Sequence, residues 1–220
     1  MGHRLLNLVN FDMEHSFFEG HFSGRRCRQP NLVAGSRDGL HLLDEDLMIQ
    51  SLQRAAQFLA HARGGGCEIL CVNPDPRFDA FVQAHCRTYV NTHWVGGLLT
   101  NWHQVSRSIQ GFRQFQETYG STFDLDTLPR YQRLKKGFAG LMHLTRRPDI
   151  LFCMNPEMSR PAVAEAYQCH IPVVGLIDGQ APSSGCDYPI IGNGGSVSYG
   201  EQVIRACFPL DNETYGNFIK

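Results

Sequence analysis

Residues 149–178 have the sequence DILFCMNPEMSRPAVAEAYQCHIPVVGLID. The first and last parts, DILFCMN and IPVVGLID, are short continuous apolar runs, typical of strands that are covered on both faces. The middle part, SRPAVAEAYQC, predicts a helix with Ser159 as its N-cap and Pro161 in its first turn. A strand, one helix and a second strand in this order predict two parallel strands joined by a right-handed crossover.

The same alternation continues on both sides of this unit. The apolar run CEILCVN at residues 67–73 predicts an earlier strand, and a helix is expected over about 77–86. YPIIG at residues 188–192 predicts a further strand, followed by a last helix over about 196–207. We therefore predict an α/β protein with a Rossmann-like (flavodoxin-like) doubly wound parallel sheet.

A long amphipathic helix is predicted ahead of the first of these strands. Asp44 is a suitable N-cap, and the triple glycine at residues 64–66 ends the helix. Before it, a turn is expected at Gly35 to Gly39, followed by a brief strand at residues 41–43. The apolar stripe of the helix recurs at spacings of three and four and consists of Met48, Leu52, Ala55, Leu59 and Ala62.

The alternation of strands and helices lapses between residues 100 and 147. Two helices are predicted there, over residues 101–120 and 128–147, separated by the turn-rich segment GSTFDLDT. Such a pair predicts an α-helical hairpin that projects from the sheet domain. The expected organisation is a basic N-terminal extension over 1–30, the α/β domain over 31–99 and 148–210, and the hairpin insertion over 100–147.

The charges are unevenly distributed although the net charge is only −1. Residues 100–148 carry eight basic and three acidic side chains, whereas residues 149–220 carry three basic and eight acidic ones. Arg25, Arg26 and Arg28 form a separate basic cluster near the N-terminus. A nearly neutral protein with this distribution can still present basic surfaces to phosphate groups.

Fingerprints of nucleotide-binding enzymes are missing from the sequence. It contains no GxGxxG after the first strand of the α/β domain and no GxxxxGK[ST]. A glycine-rich loop at residues 192–200, GNGGSVSYG, precedes the last helix and offers an alternative, an enzyme that holds a small anion there. Asp178 ends a predicted strand, as catalytic carboxylates often do, yet no basic or nucleophilic partner lies near it in sequence. We expect no catalytic residues and no cofactor.

The eight cysteines show no CxxC pair or regular framework, so we expect reduced thiols and no metal. A zinc site built from distant cysteines and histidines is the alternative. No apolar run reaches the roughly 18 residues needed to cross a membrane, so no membrane partner is expected.

The segment HWVGGLLTNW at residues 93–102 contains both tryptophans of the chain, Trp94 and Trp102. Its two adjacent glycines, Gly96 and Gly97, allow another backbone to approach closely. The segment is interpreted either as an aromatic-lined turn that packs the hairpin onto the sheet, or as a surface that stacks on nucleotides.

Six segments of the chain resemble, in order, motifs of the ribosomal protein S2 family, the universal second protein of the small ribosomal subunit. They span about residues 20 to 208, and six ordered matches are far more specific than any single one. The matching segments are HF at 21–22, GSRDGLHLLD at 35–44, HWVGGLLTNW at 93–102, PDILF at 148–152, the run from Ala162 to Gly175, and YPIIGN at 188–193.

The resemblance implies a structural, non-catalytic protein that binds small-subunit ribosomal RNA near the junction of head and body, beside other ribosomal proteins and not as a homo-oligomer. The residues expected to contact RNA include motif positions, their neighbours and the N-terminal arginine cluster. They are Arg25, Arg26, Arg28, Arg37, His41, His93, Trp94, Thr100, Asn101, Trp102 and Arg107. Gly96, Gly97 and Asn193 also match motif positions, and the glycines are interpreted as requirements of shape.

The chain departs from the family motifs at several polar positions. His93 stands in place of an arginine, Ser23-Gly24 in place of Gly-His, Gly179-Gln180 in place of Thr-Asn, and Gly194 in place of an aspartate. The hairpin and N-terminal loop also resemble shortened organellar forms, so we expect a mitochondrial ribosome. An adhesion or receptor module outside the ribosome is a further alternative.

Overall fold

The computed structural model describes residues 22–23, 30–37, 40–91, 93–120, 129–178 and 185–210. Its strands are β1 (Phe22–Ser23), β2 (Val33–Arg37), β3 (Leu40–Leu43), β4 (Ile69–Asn73), β5 (Tyr89–Asn91), β6 (Ile150–Cys153), β7 (Val173–Ile177) and β8 (Tyr188–Ile191). Its α-helices are α1 (Glu45–Gly64), α2 (Asp79–His85), α3 (Trp102–Tyr119), α4 (Pro129–Phe138), α5 (Arg160–Gln168) and α6 (Val197–Cys207). Short 3₁₀ helices span Pro30–Leu32, Pro76–Phe78 and Ala139–Leu141.

Five parallel strands form the central sheet in the order β5-β4-β6-β7-β8. If the strands of this sheet are numbered one to five along the chain, their order is 2-1-3-4-5, the flavodoxin-like arrangement. The strand order reverses between β4 and β6, where Ile69 is paired with Ile150 and Val72 with Cys153. The predicted fold, a doubly wound parallel sheet, is confirmed.

Helices cover both faces of the sheet, which explains the continuous apolar runs of its strands. Each residue of β4, β6 and β7 is buried. The side chains of successive strand residues point alternately to the two faces of the sheet, and each face has its own apolar cluster. The first cluster includes side chains of α1, α2 and α6, and the second includes side chains of α3 and α5.

The predicted helix that follows Asp44 is confirmed as α1. The carboxylate of Asp44 accepts a hydrogen bond from the backbone amide of Leu47 at 3.2 Å, as an N-cap does. Four residues of the predicted apolar stripe are buried, and the fifth, Ala62, is partly buried. Burial of this stripe attaches α1 to the first cluster.

A small antiparallel sheet of β1, β3 and β2 precedes α1. Leu43 of β3 joins this sheet to the first cluster, as does Leu32 at the end of the 3₁₀ helix that precedes β2. The prediction that Gly35 begins a turn is wrong, because Gly35 lies within β2, opposite Leu42. The pairing of β2 with β3 is irregular between Val33 and Gly35, where β2 has one residue more than the facing part of β3, as in a β-bulge.

Strand β5, which the sequence pattern did not predict, forms one edge of the central sheet. It has only three residues, and only Val90 is buried, so its pattern carries no apolar run. Its position is set by tertiary contacts, among them the hydrogen bond from the Thr88 hydroxyl to the Ile69 carbonyl at 2.6 Å.

Helix α4 is shorter than the predicted helix over residues 128–147, because it ends at Phe138. A 3₁₀ turn follows, in which Gly140 lies so close to the Tyr89 carbonyl that no Cβ would fit. Helices α3 and α4 contact each other through the rings of Phe112 and Tyr131, whose centroids are 5.4 Å apart. The proposed boundaries of the extension, domain and hairpin stay predictions.

The side chain of Ser159 does not form the predicted cap of α5. Its hydroxyl interacts instead with the buried thiol of Cys153. Burial raises the pKa of Cys153 to about 11, so this thiol stays protonated at neutral pH and behaves as an apolar side chain.

All seven cysteines among the described residues are unpaired. In the same part of the chain, no three His, Cys, Asp or Glu side chains are grouped closely enough to hold a metal ion. No helix in the described ranges is long and apolar enough to cross a membrane.

Candidate nucleic-acid interface

Residues 93–101 form a turn-rich loop that joins β5 to α3. Leu98 and Leu99 are buried in the second apolar cluster, and they fix the middle of the loop to the sheet. Gly97 has a φ of 85°, a left-handed conformation that strains residues with a side chain. The HWVGGLLTNW segment thus needs this glycine for its path, and its leucines hold that path against the core.

The carboxylate of Glu165, in the middle of α5, holds the loop. Its Oε1 accepts hydrogen bonds from the Trp94 indole at 2.9 Å and the Gly97 amide at 2.7 Å. Its Oε2 accepts from the amides of Leu99 at 3.0 Å and Thr100 at 3.3 Å, and from the Thr100 hydroxyl at 3.3 Å. Five donors within one loop therefore converge on a single side chain.

The electrostatics of Glu165 reflect this arrangement. Partial burial raises the pKa of the carboxyl, but the hydrogen bonds from Trp94, Gly97, Leu99 and Thr100 outweigh burial, and the pKa is lowered overall. The donors are neutral groups, and no salt bridge to Glu165 is formed within the described residues. The ionised form of Glu165 is thus stabilised by oriented dipoles of the loop.

A lowered pKa in the folded state makes stability depend on pH. At pH values above the unfolded-state pKa of a glutamate, about 4.3, the stabilisation from Glu165 is fully present. As the pH falls the unfolded state takes up the proton first, and the stabilisation is lost through the folded-state pKa. We expect the difference in unfolding free energy between wild type and Glu165→Gln to shrink as the pH falls from about 5 to about 3, as measured by urea denaturation. A difference that stayed constant over this range would contradict the assignment.

Both tryptophans face inward. Trp94 donates its indole N–H to Glu165, and Trp94 and Trp102 pack against the second apolar cluster. Of the two interpretations of this segment, the geometry favours the aromatic-lined turn that packs α3 onto the sheet. Contact of either tryptophan with RNA stays a prediction.

Several polar members of the segment are exposed, although the Thr100 hydroxyl donates to Glu165. His93, Thr100 and Asn101 are exposed, and so is Arg107 one turn into α3. The exposed side of α3 continues from them through His103, Gln104, Ser108, Gln110 and Gln114. Residues 80–116 contain no aspartate or glutamate. The loop and the exposed side of α3 up to residue 116 together offer hydrogen-bond donors and positive charge without an acidic side chain of their own, and the exposed Glu117 near the end of α3 lies beyond this surface.

The remaining predicted RNA contacts lie elsewhere. Arg37 is the last residue of β2, and His41 is in β3, where it is paired with Ser36. Their small sheet adjoins the first apolar cluster, whereas the loop adjoins the second, so the structure does not bring the two groups into one patch. Arg25, Arg26 and Arg28 lie outside the described residues.

Sequence analysis did not identify Glu165 as a partner of the loop. The available signal was an acidic residue in an otherwise apolar stretch, AVAEAY, within one of the resembling motifs. A charged side chain in such a stretch is expected to have partners when it is partly buried. The donors are 65 to 71 residues away in the sequence, beyond the reach of any local pattern.

The glycine-rich loop at 192–200 uses several of its amides internally. The amide of Gly195 donates to Asn193 Oδ1 at 2.8 Å, and the amide of Tyr199 donates to Ser196 Oγ at 3.3 Å. The amides of Ser196 and Gly200 also donate to carbonyls within the loop. These bonds leave few donors for an anion, which disfavours the alternative of an anion-binding enzyme.

Comparisons with known proteins agree with the six motifs. A family model described as Ribosomal protein S2 matches residues 13–206. The small ribosomal subunit protein uS2 of Rhodospirillum rubrum is 31% identical over 208 residues, covering 86% of this chain and 79% of that protein. The uS2 protein of Granulibacter bethesdensis is 31% identical over 190 residues, with coverages of 81% and 74%. That of Paracoccus denitrificans is 31% identical over 177 residues, with coverages of 76% and 68%.

The predicted mitochondrial location is wrong. The similar proteins are alphaproteobacterial, and they point to a bacterial ribosome. The prediction relied on shortened loops and on substitutions such as His93 for arginine. Such changes alter the chemistry of a surface, but they carry no information about the compartment in which that surface works.

Proposed function

The chain belongs to the ribosomal protein S2 family, and from this premise we propose that it is a structural component of the small ribosomal subunit that binds ribosomal RNA. Members of the family are structural proteins and not enzymes. Its partners are small-subunit ribosomal RNA and neighbouring ribosomal proteins, and its place is near the junction of head and body.

The proposal rests on the acid-free surface formed by the loop at 93–101 and the exposed side of α3 up to residue 116. Nucleic-acid surfaces need donors and positive charge facing phosphate, and acidic side chains there repel the ligand. Among the described residues, the carboxylate that contacts this loop is that of Glu165, which faces inward and accepts from five donors. The loop thus keeps its shape without exposing a negative charge to RNA.

Within this surface we assign different roles to the motif residues. His93, Asn101 and Arg107 are exposed and serve as direct contacts to phosphate and sugar groups, whereas Thr100 donates its hydroxyl to Glu165 and helps to hold the loop in shape. Trp94 and Trp102 contribute indirectly, because their packing holds the loop in its conformation. Arg25, Arg26 and Arg28 contribute further phosphate contacts, as the resemblance implies.

The test is association with small subunits depleted of their own S2 protein, followed by sucrose-gradient sedimentation. We expect the tagged chain to migrate with small-subunit RNA, and its affinity to fall steeply with salt concentration. Migration as a free protein of 24.8 kDa would contradict the proposal.

Arg107→Glu is the discriminating variant in this assay. Removing one phosphate contact is expected to reduce the slope of log affinity against log salt by about one. The matched control is Arg160→Glu, which changes an arginine that is 73% exposed and lies 3.0 Å from Glu157. If Arg107→Glu bound small subunits as tightly as Arg160→Glu does, Arg107 would not be an RNA contact.

A further inference from the structure

A groove runs along the amino-terminal edge of the central sheet, on the side where β4 and β5 begin. Its volume is about 740 Å³, which lies within the range of about 300–1,000 Å³ that is typical of binding clefts. Arg63, Arg87 and His143 are among its lining residues, and Glu68 is the only acidic side chain among the described residues that line it.

A second, smaller cavity of about 380 Å³ adjoins the groove and shares Arg87 and His143 with it. Its other lining residues are Arg113, Met142 and Thr145. Two guanidinium groups, an imidazole and a hydroxyl thus border one cavity, and none of its described lining residues carries a carboxylate.

The two arginines are held differently. Arg113 donates from Nη2 to the carbonyl of Met142, and this bond fixes its guanidinium beside the cavity. Arg87 is exposed, and no hydrogen bond or ion pair joins it to any other residue in the described part of the chain. Arg146, near the same edge, is by contrast paired with Asp149 at 2.8 Å, so its charge is already compensated.

We propose that this basic groove, and in particular the cavity between Arg87 and Arg113, binds the phosphate backbone of small-subunit ribosomal RNA. The inference rests on the proposed function and assigns to it a second surface, which none of the six motifs predicted. A guanidinium donates to two phosphate oxygens at once, and a pair of arginines can hold one phosphodiester from both sides.

The lining favours RNA over an acidic protein segment. Protein partners are anchored by large apolar side chains at the centre of the interface. Large apolar side chains that line the groove, such as Tyr89, Phe208 and Leu210, are buried or partly buried. Five large apolar side chains of the described part of the chain are exposed, and none of them lines the groove or the cavity: Phe115, Tyr119, Leu134, Met158 and Tyr167.

The variant that tests the groove is Arg87→Glu in the full-length chain, with Arg54→Glu as its control. Arg54 is exposed on α1 and likewise has no partner among the described residues. Both variants are expected to unfold at the wild-type urea concentration, because neither arginine makes a contact that folding needs. In the small-subunit association assay we expect Arg87→Glu to bind about tenfold more weakly, with a salt slope reduced by about one, and Arg54→Glu to bind as wild type does.

Cross-linking identifies the occupant. Thr145 borders the cavity and is exposed, so p-benzoylphenylalanine placed there reacts with whatever lies in it. A cross-link to small-subunit RNA, together with weaker binding of Arg87→Glu, supports the inference. If Arg87→Glu bound like wild type, or if the cross-link joined a protein, the groove assignment would be overturned while the proposed function stood. If the wild-type chain itself failed to bind small subunits, both would fall.

Discussion

Replacement of Glu165 by leucine is expected to lower the free energy of unfolding by about 3 kcal/mol, and the melting temperature by about 6–12 °C. The leucine fills the space of the side chain but accepts no hydrogen bond. It leaves the Trp94 indole and the amides of Gly97 and Leu99 without an acceptor in a partly buried site. Hydrogen bonds to charged groups contribute about 1.5–3 kcal/mol each, and a shared acceptor makes the total less than their sum. Urea and thermal denaturation measure the loss.

Glu201→Leu is the matched control for this variant. Glu201 also lies in a helix, but its carboxylate reaches only as far as Arg205, 4.0 Å away at the surface. Exposed pairs of this kind contribute up to about 1 kcal/mol, so the control is expected to unfold close to wild type. A loss of stability as large for Glu201→Leu as for Glu165→Leu would show that the Glu165 carboxylate has no special role.

Tryptophan fluorescence reports on the same contact independently of global stability. In a Trp102→Phe background, Trp94 is the only tryptophan of the chain. Removal of its hydrogen-bond acceptor at Glu165 is expected to shift the emission of the folded protein. An unchanged spectrum would mean that the loop keeps its path without Glu165.

Gly192→Ala is expected to destabilise the fold by about 3 kcal/mol, at the upper end of what overpacking costs. A Cβ at this position would overlap ring atoms Cε1 and Cζ of Tyr199 and lie 2.6 Å from its hydroxyl oxygen. The ring cannot move aside, because it is fully buried and its hydroxyl donates to the Ile191 carbonyl at 2.7 Å. The glycine cannot move either, since its amide donates to the Ile177 carbonyl at 3.0 Å.

Gly111→Ala provides the control for this steric argument. Gly111 lies inside α3, where no heavy atom would lie within 4 Å of an added Cβ. Alanine in a helix interior is more stable than glycine by roughly 0.5–1 kcal/mol, so this variant is expected to raise stability. The same chemical change thus has opposite signs at the two sites.

A double-mutant cycle with Tyr199→Ala tests the cause of the Gly192 effect. Once the ring is removed, Gly192→Ala is expected to cost little, so the two substitutions are strongly non-additive. Additive losses would show that Gly192 is required for another reason.

The sheet could be predicted from sequence because its strands are covered on both faces. Runs such as ILCVN, ILFC and VVGLI have no alternation, and each is followed by a helix or turn signal. Edge strand β5 lacked such a run, and its three residues join the sheet through tertiary pairing with β4. Local patterns therefore predicted the centre of the sheet and missed one of its edges.

The residues of the candidate interface could be predicted from sequence, but the contacts that hold its loop in place could not. Motif residues identified the loop at 93–102, whereas its acceptor Glu165 is far away in sequence. The basic groove was also missed, since Arg63, Arg87 and Arg113 come from separate segments that only the fold assembles. Charge counts along the chain average over such residues and cannot reveal a cavity that they share.

The long sequence separation between the loop and Glu165 also has a consequence for the newly made chain. Synthesis proceeds from the N-terminus, so residues 93–101 leave the peptide exit tunnel well before α5 is complete, at about 5–20 residues per second. During that interval the loop donors have no carboxylate to converge on. We therefore expect the loop that is proposed to bind RNA to reach its final shape only after α5 has been synthesised.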